Sequence, residues 1–203
     1  MLRSESAEQK ILTAARKVFQ SRGMHGARMQ DIADRAGINK ALLHYYFRSK
    51  DLLFEAVFKE AFQQLFSKFQ VLAAPNLSFE EKIEQFVHGY MDVLLEHPFL
   101  PGFVIHEINQ DPAKFERLFI PEGAISKNRK ILKLIGEELK KISSKPIDPR
   151  QFMVNTISLC IFPFAAKPML CKMMGIKDHD FKKFISERKA LIPSILIQSV
   201  KLQ

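Results

Sequence analysis

Apolar side chains recur every three or four residues along nearly the whole chain, and this spacing is typical of helices that bury one face. Ile11, Ala15 and Phe19 mark the buried face of a first predicted helix, which Ser6 caps and Gly23 ends. The 203-residue sequence contains no alternating pattern typical of strands and no internal repeat. The pattern therefore predicts an all-α fold of about nine helices.

Two short helices follow the first one. Apolar positions predict helices over residues 29–36 and 40–47, with Gly37 ending the first of the pair in a left-handed conformation and Asn39 capping the second. Two short helices joined by a tight turn form a helix-turn-helix, whose second helix fits the major groove of DNA. An ordinary hairpin in a helical bundle has the same helix lengths, so the pattern alone leaves both interpretations open.

Longer helices are predicted for the rest of the chain. Ser49 caps a fourth helix that reaches Ala73, and Ser78 with Glu81 forms a capping box at the start of a fifth. The further predicted helices cover residues 99–109, 112–143, 149–174 and 178–200. Because no flexible linker interrupts the fourth helix, we expect it to join the regions before and after it rigidly.

Basic residues are concentrated near the start of the chain. The sequence contains 31 Lys and Arg against 22 Asp and Glu, a formal net charge of +9. Residues 1–50 hold ten of the basic side chains and four of the acidic ones, so most of the excess lies in a quarter of the chain. This distribution indicates a polyanionic partner for the N-terminal region, although a solvated basic face without a partner has the same composition.

The sequence lacks the motifs of enzymes, metal sites and membrane proteins. It has no glycine-rich phosphate loop or nucleophile elbow, and His88, His97 and His106 are spaced so that they do not share one helical face. No apolar run is long enough to cross a bilayer, and the first residues do not form a signal peptide. We therefore expect a cytoplasmic protein with no enzymatic activity, cofactor, metal or membrane partner.

The two cysteines are expected to be free thiols. Cys160 and Cys171 lie on one predicted helix, about 16 Å apart at about 1.5 Å per residue. A disulfide requires Cα atoms within roughly 7 Å of each other, so the two cannot pair within that helix. A bridge between two subunits stays open, but two cysteines without a disulfide framework fit a reducing compartment.

Three segments resemble the DNA-binding domain of the TetR (tetracycline repressor-like) family of transcriptional regulators. They are Asp31-Ile32-Ala33, Ala36-Gly37-Ile38-Asn39-Lys40-Ala41 and Tyr45-Tyr46-Phe47-Arg48-Ser49-Lys50-Asp51-Leu52. The first helix of that family is matched at Ile11, Ala14, Ala15, Phe19 and Gly23. The resemblance covers residues 8–54. It implies a helix-turn-helix DNA-binding domain over residues 1–48, joined by the fourth helix to a helical ligand-binding and dimerisation domain over 49–203.

The resemblance also implies which side chains contact DNA. The outward positions of the recognition helix are Lys40, Ala41, Leu42, His44 and Tyr45. Among them, His44 and Tyr45 are the main candidates for base contacts, and Leu42 is suited to a thymine methyl group. Tyr46 and Lys50 are expected to contact phosphates, Lys50 where the N-terminus of the fourth helix attracts anions. A packed Tyr46 and a merely solvated His44 are the alternatives.

The sequence departs from the family pattern at three positions. Arg28 stands where a threonine usually caps the second helix, so we expect a phosphate contact from its longer side chain in place of that cap. Leu42 replaces a common threonine and His44 a common tyrosine. Because these two positions read bases, the resemblance implies no particular operator sequence.

The last predicted helix is apolar on more than one side, with Ile192, Ile195 and Leu196 among its apolar residues. Such a helix buries one face against its own domain and another against a partner. The resemblance implies a homodimer formed through the last two helices of each chain. The alternative is that these helices complete a monomeric core.

The middle of the chain is rich in Phe and Met, which suit the walls of an apolar chamber. The predicted chamber residues are Phe86, Tyr90, Phe103, Met153, Phe162, Phe164 and Met169. Pro163 and Pro168 each remove a helical hydrogen bond, and we expect them to splay the helix around the chamber. The alternative is an ordinary core, because aromatic and Met residues at helical spacing usually pack inside helical proteins.

Together these features predict a transcriptional repressor that leaves a palindromic, double-stranded DNA operator when a small apolar or amphipathic ligand binds. The alternative is a helical DNA-binding regulator with no small-molecule ligand, controlled by a protein partner or acting constitutively. Saturable binding of a small molecule that changes DNA affinity separates the two.

Overall fold

A computed structural model describes residues 6–202, apart from the side chains of Met24 and His25. These residues form eleven α-helices, two short 3₁₀ helices and no strand, which confirms the predicted all-α fold. The α-helices are α1 (Ala7–Gly26), α2 (Met29–Ala36), α3 (Lys40–Tyr46), α4 (Lys50–Ser67), α5 (Phe79–Glu96), α6 (Leu100–Gln110), α7 (Pro112–Phe119), α8 (Ala124–Ile142), α9 (Pro149–Ala165), α10 (Lys167–Met174) and α11 (Phe181–Lys201). The 3₁₀ helices cover Lys68–Ala73 and Asp178–Asp180.

Two of the long predicted helices are each interrupted. The helix predicted over residues 112–143 is broken before α8 at Pro121 and Gly123, where the glycine adopts a φ of +72°. The helix predicted over residues 149–174 bends by 76° between α9 and α10. Pro168 lies just after this bend and has no N–H for a helical hydrogen bond. These interruptions account for eleven helices in place of about nine.

Side chains cap the helices at the positions that the sequence predicts. The Ser6 hydroxyl accepts the Gln9 N–H at 3.2 Å at the start of α1. At the start of α5, the Ser78 hydroxyl accepts the Glu81 N–H at 3.2 Å, and the Glu81 carboxylate accepts the Ser78 N–H at 2.8 Å. These hydrogen bonds lower the pKa of Glu81 because they favour its charged form. Each cap satisfies N–H groups that have no partner within the helix.

The chain divides into two compact units inside α4, between Phe62 and Gln63. In the first unit, Phe19 of α1 meets Phe54 of α4 edge to face, with ring centroids 4.8 Å apart. The first part of α4 therefore belongs to the core of the first unit. For this reason the division falls later than the domain boundary predicted after residue 48.

The core of the first unit collects side chains from four helices. Its fully buried apolar residues include Ile11, Phe19, Ile32, Leu43, Leu53 and Phe58. Full burial of one such side chain stabilises the fold by about 1.5–3 kcal/mol. At the edge of this core, Arg16 of α1 and Glu60 of α4 form an ion pair at 2.6 Å. Apolar burial and this ion pair hold α1 and α4 together around α2 and α3.

In the second unit, α5 packs against α9, α11 and the 3₁₀ helix that precedes it. The fully buried residues of α5 include Ile83, Phe86, Val87, Met91 and Leu94. Phe69 of the 3₁₀ helix contacts Phe86 and Tyr90, with ring centroids 5.0 and 6.0 Å apart. The ammonium of Lys82, which is buried, lies 3.5 Å from the Glu138 carboxylate of α8. The core of this unit therefore centres on α5.

Gly37, which follows α2, gives a first testable expectation. Its φ is +68°, and a Cβ at this position would meet no atom within 4 Å. Gly37→Ala therefore introduces backbone strain without a clash. We expect the free energy of unfolding of the first unit to fall by about 1–2 kcal/mol, measured by urea denaturation followed with circular dichroism.

Gly102→Ala is the matched control. Gly102 lies inside α6, has no positive φ, and its added Cβ also meets nothing within 4 Å. Alanine is more favourable than glycine inside a helix by about 1 kcal/mol, so we expect this variant to be as stable as the wild type or more stable. Equal destabilisation by the two substitutions would contradict the strain argument.

Candidate nucleic-acid interface and effector region

The turn between α2 and α3 is fixed by backbone hydrogen bonds. Gly37 has φ 68° and ψ 32°, and its N–H donates to the carbonyls of Ala33 and Asp34. The Ile38 N–H donates to the Ala33 carbonyl at 3.1 Å. The left-handed residue that the sequence predicts at this position is therefore confirmed, and it directs the chain from α2 into α3.

The inner side of α3 is held by a cap and by buried side chains. The Asn39 side-chain oxygen accepts the Leu42 N–H at 2.7 Å, as predicted for the cap. Leu43 is completely buried, and Phe47 at the end of α3 is buried as well. These contacts fix the position of α3 in the first unit and leave its other side free for a partner.

The outer side of α3 consists of exposed side chains. These are Lys40, Ala41, Leu42, His44, Tyr45 and Tyr46, the six positions of α3 for which the sequence predicts DNA contacts. Tyr45 is 79% exposed, and its ring meets that of Tyr46 edge to face at 5.5 Å. Tyr46 is 40% exposed, so both rings present surface to a partner.

His44 has one ring nitrogen engaged within the first unit. Its Nδ1 lies 3.4 Å from the Arg48 carbonyl oxygen. A carbonyl oxygen only accepts hydrogen bonds, so we assign the hydrogen to Nδ1 in this contact. The Nε2 atom of the neutral ring then remains an acceptor. An acceptor on this face complements the amino groups of cytosine and adenine in the major groove.

Positive charge lies at the starts of α2 and α4. The Lys50 ammonium donates to the Ala27 carbonyl at 3.3 Å, which uses one of its three N–H groups. The Ser49 hydroxyl accepts the Leu52 N–H at 3.1 Å and caps α4. Arg28 precedes α2 and makes no side-chain cap, in agreement with its departure from the family pattern. N–H groups in the first turn of α2 therefore remain available to a phosphate oxygen.

The ion pairs inside the first unit do not neutralise the positive side chains around α3. Arg16 pairs with Glu60, and Arg22 pairs with Asp31. Within residues 6–202 no ion pair involves Arg28, Lys40 or Arg48. Unneutralised cations around α3 attract the phosphate backbone of DNA.

The predicted chamber residues differ in how far they are exposed. Phe86, Tyr90 and Met153 are buried in the core of the second unit, and burial raises the pKa of Tyr90. Phe162 and Met169 are about half exposed. The periodicity of the sequence places these side chains on helices, but it does not identify the face of each helix that meets a cavity.

The other two predicted chamber residues lie in different surroundings. Phe103 is half-buried against Phe119, with ring centroids 5.7 Å apart. Phe164 lines a cavity of about 340 Å³ beside the bend between α9 and α10, together with Phe181 and Lys167. This cavity lies at the break where the sequence predicts that prolines splay the helix.

A second cavity, of about 270 Å³, is lined by residues that the sequence analysis did not single out. Phe66 at the end of α4 and Phe69 in the 3₁₀ helix form part of its wall, and Ala124 and Ile131 of α8 form another part. Both phenylalanines are half-buried. In the sequence, this region is marked by Pro121 and the glycine two residues after it. These residues indicate the end of a helix, but they do not indicate the wall of a cavity.

The predicted interface residues fall on two sides of α11. Ile192 and Leu196 are buried within their own chain, whereas Ile195 is 41% exposed. Leu191, one turn before Ile195, is 51% exposed. On α9, which packs against α11, Val154 is also exposed. Leu191 and Val154 are therefore exposed apolar residues of these two helices in addition to Ile195.

The two cysteines are free thiols in different surroundings. Both Cys160 and Cys171 are free, as predicted, and burial raises the pKa of the Cys160 thiol to about 12. Such a thiol stays protonated and unreactive. Among the described residues, no group of three or more His, Cys, Asp or Glu side chains is placed to hold a metal ion. No single described helix is long and apolar enough to span a bilayer, and one bent pair, α9 with α10, reaches that length and composition.

Known proteins resemble the chain both locally and along nearly its full length. Residues 11–57 match the family of bacterial regulatory proteins called the tetR family. The HTH-type transcriptional regulator RutR of Escherichia coli (strain K12) is 33% identical over 209 residues, covering 98% of this chain and 93% of RutR. The probable HTH-type transcriptional regulator YttP of Bacillus subtilis (strain 168) is 27% identical, covering 94% of each chain.

A solved structure shares the fold at lower identity. The transcriptional regulator FadR of Bacillus subtilis, in complex with stearoyl-CoA, superposes with a TM-score of 0.63 over 93% of this chain and 96% of FadR, at 15% identity. The family assignment itself comes from the matched helix-turn-helix and from the identity to RutR over nearly the whole length. The chain therefore belongs to the tetR family of bacterial regulatory proteins and is a transcriptional regulator with an N-terminal helix-turn-helix.

Proposed function

We propose that this protein is a homodimeric repressor that binds a palindromic operator and leaves it when a small molecule occupies the second unit. The observation that carries the proposal is the exposed outer face of α3, which follows the turn at Gly37. Because the relatives RutR and YttP are transcriptional regulators, we propose regulation and assign no catalytic step to the chain.

The outer face of α3 has the chemistry needed to read bases. Tyr45 combines a large ring with a hydroxyl that both donates and accepts hydrogen bonds, and it is 79% exposed. His44 offers Nε2 as an acceptor, and Leu42 offers a methyl-bearing surface for thymine. Lys50 and Arg28 lie at helix starts, where phosphate contacts set the register of the protein on DNA.

A homodimer is supported by exposed apolar side chains on α9 and α11, which pack against each other. Leu191, Ile195, Val154 and Phe162 each leave about half of their surface in water. The same face of a second copy covers these side chains in a two-fold symmetric interface. Two copies of α3 then read two half-sites about one helical turn apart, roughly 34–36 Å, which requires a pseudo-palindromic operator.

Control by a small molecule is supported by the course of α4. This helix begins at Lys50, directly after the recognition helix, and its last turn, at Phe66 and Ser67, lines the 270 Å³ cavity. FadR, a protein of the same fold, binds stearoyl-CoA. A ligand that moves the last turn of α4 changes the geometry at its start, and a coupling of about 1–3 kcal/mol is enough to release the operator.

The DNA-reading role of α3 is tested with two substitutions. Selection from a random DNA pool first identifies the operator, which we expect to be a palindrome. His44→Ala is then expected to weaken operator binding by about 1–3 kcal/mol and to leave binding to random DNA unchanged, because a base contact is lost. Equal loss on operator and random DNA in a fluorescence anisotropy titration would refute the reading role of His44.

Lys50→Ala is expected to act differently. Loss of a phosphate contact weakens binding to all sequences alike and lowers the slope of log affinity against log salt by about 1. Lys59→Ala is the matched control, because Lys59 is an exposed lysine of the same helix at a distance from its start. An unchanged salt slope for Lys50→Ala, or the same reduction for Lys59→Ala, would remove the phosphate role of Lys50.

The dimer is tested by placing a charge on the exposed face of α11. Ile195→Glu is expected to produce folded monomers with most operator affinity lost, because the carboxylate would be buried in an apolar interface. Ile192 is completely buried in its own chain, so Ile192→Glu is expected to destabilise the fold itself.

Ile105→Glu is the control for the dimer experiment, since Ile105 is a comparably exposed residue on α6. We expect it to leave the mass from light scattering unchanged. A wild type that is monomeric at micromolar concentration, or an Ile195→Glu variant that stays dimeric, would refute an interface on this face.

A further inference from the structure

The 270 Å³ cavity of the second unit combines an apolar wall with a polar rim. The wall consists of Phe66, Phe69, Pro121, Ala124 and Ile131, which come from the end of α4, the following 3₁₀ helix and the start of α8. The cavity is large enough for a small molecule with a single aromatic ring.

Aromatic packing makes one side of this wall firm. The rings of Phe66 and Phe69 lie 5.9 Å apart, and Phe69 is backed by Phe86 and Tyr90 of the buried core. Side chains that are packed from behind lose little further freedom when a ligand binds in front of them. Flat apolar molecules bind well against such rings.

Three carboxamide side chains line the rim. Gln63, Gln70 and Asn128 border the cavity, and within the described part of the chain none of these amides has a hydrogen-bond partner. Each amide carries two N–H donors and one acceptor oxygen. The complementary ligand edge therefore both donates and accepts, as a carboxamide does.

The rim carries one charge of each sign. Glu122 and Lys127 both line the cavity, and in the chain that the structure describes neither forms an ion pair. Their formal charges cancel, so a charged ligand gains little net attraction here and loses hydration when it enters. The lining therefore favours an uncharged ligand over an anion or a cation of the same shape.

We propose that this cavity binds a small uncharged molecule with a flat apolar body and a carboxamide-like edge, and that this class of molecule is the effector. The second part rests on the proposed function, whereas the binding site itself does not. The flat body lies against Phe66 and Phe69, and the amide edge pairs with Gln63, Gln70 or Asn128 at the rim. Because Gln63 and Phe66 belong to α4, the bound molecule contacts the helix that begins beside the recognition helix.

Benzamide and benzoate test the ligand class directly. The two have the same shape, but only benzamide is uncharged and able to donate a hydrogen bond. We expect isothermal titration of the full chain to give an affinity for benzamide about fivefold or more above that for benzoate, the ratio expected for about one net hydrogen bond. Equal affinities, tighter binding of benzoate, or no binding of benzamide up to its solubility limit would overturn the assignment.

Two tryptophan substitutions test the location. Ala124→Trp places a large ring in the cavity, whereas Ile125→Trp places the same ring on the exposed side of the same helix turn. We expect at least a tenfold loss of benzamide affinity in the first variant and no loss in the second. The natural chain contains no tryptophan, so fluorescence emission reports in each variant whether the new ring is buried. Unchanged binding in a folded Ala124→Trp variant would refute the site.

Asn128→Ala gives a second test that leaves the apolar wall intact. Removing one rim amide is expected to weaken benzamide about fivefold and to leave benzoate less affected. Asn109→Ala, at an exposed asparagine of α6 outside the cavity, is the control and is expected to have no effect. Equal benzamide affinities of the Asn128→Ala and Asn109→Ala variants would overturn the role of the rim amides.

The DNA measurements separate this inference from the proposed function. Benzamide that binds at the cavity and lowers operator affinity supports both. Benzamide that binds at the cavity without changing operator affinity keeps the site and overturns its role as effector site. Benzamide that fails to bind while the chain still binds a palindrome overturns the site and leaves the proposed DNA binding intact.

Discussion

The packing of α4 against α1 is the contact on which the rest of the molecule depends. Phe54 of α4 meets Phe19 of α1 edge to face, and Phe58 is completely buried in the same core. Burial of each such ring contributes about 1.5–3 kcal/mol, whereas an ion pair at the edge, such as Arg16 with Glu60, contributes about 0–1 kcal/mol. Apolar packing therefore positions α4, and α3 takes its position from the same core. The recognition helix and the start of α4 therefore share one core.

Local signals in the sequence predicted the features that depend on near neighbours. Asn39 caps α3 and Ser78 caps α5 because each side chain reaches an N–H group only three residues further along. Gly37 ends α2 because it adopts a positive φ without a Cβ penalty. The same kind of signal was present at Pro121 and Gly123, but the apolar spacing continues on both sides of this break. The apolar periodicity over residues 112–143 therefore favoured one helix, whereas the structure has two, α7 and α8.

Features that depend on distant neighbours could not be predicted from spacing. Ile192, Ile195 and Leu196 lie close together on one helix, and the sequence does not state which of them faces the chain's own core. The answer depends on where α5 and α9 pack against α11. The same holds for the aromatic residues. Phe86 is enclosed by the second core, whereas Phe66 is left half-buried at a cavity because α8 begins after a break rather than as a continuation of α7.

In the function that we propose, the length of α4 links a small ligand to a large DNA surface. From Lys50 to Gln63 the helix is about 20 Å long, at about 1.5 Å per residue. A tilt of about 5° therefore displaces one end relative to the other by nearly 2 Å. Hydrogen bonds to base edges have donor-to-acceptor distances of about 2.7–3.2 Å, so they tolerate a displacement of only a few tenths of an ångström. In the homodimer that we propose, two such displacements would add, so a ligand that shifts the last turn of α4 by about 2 Å would remove both recognition helices from register.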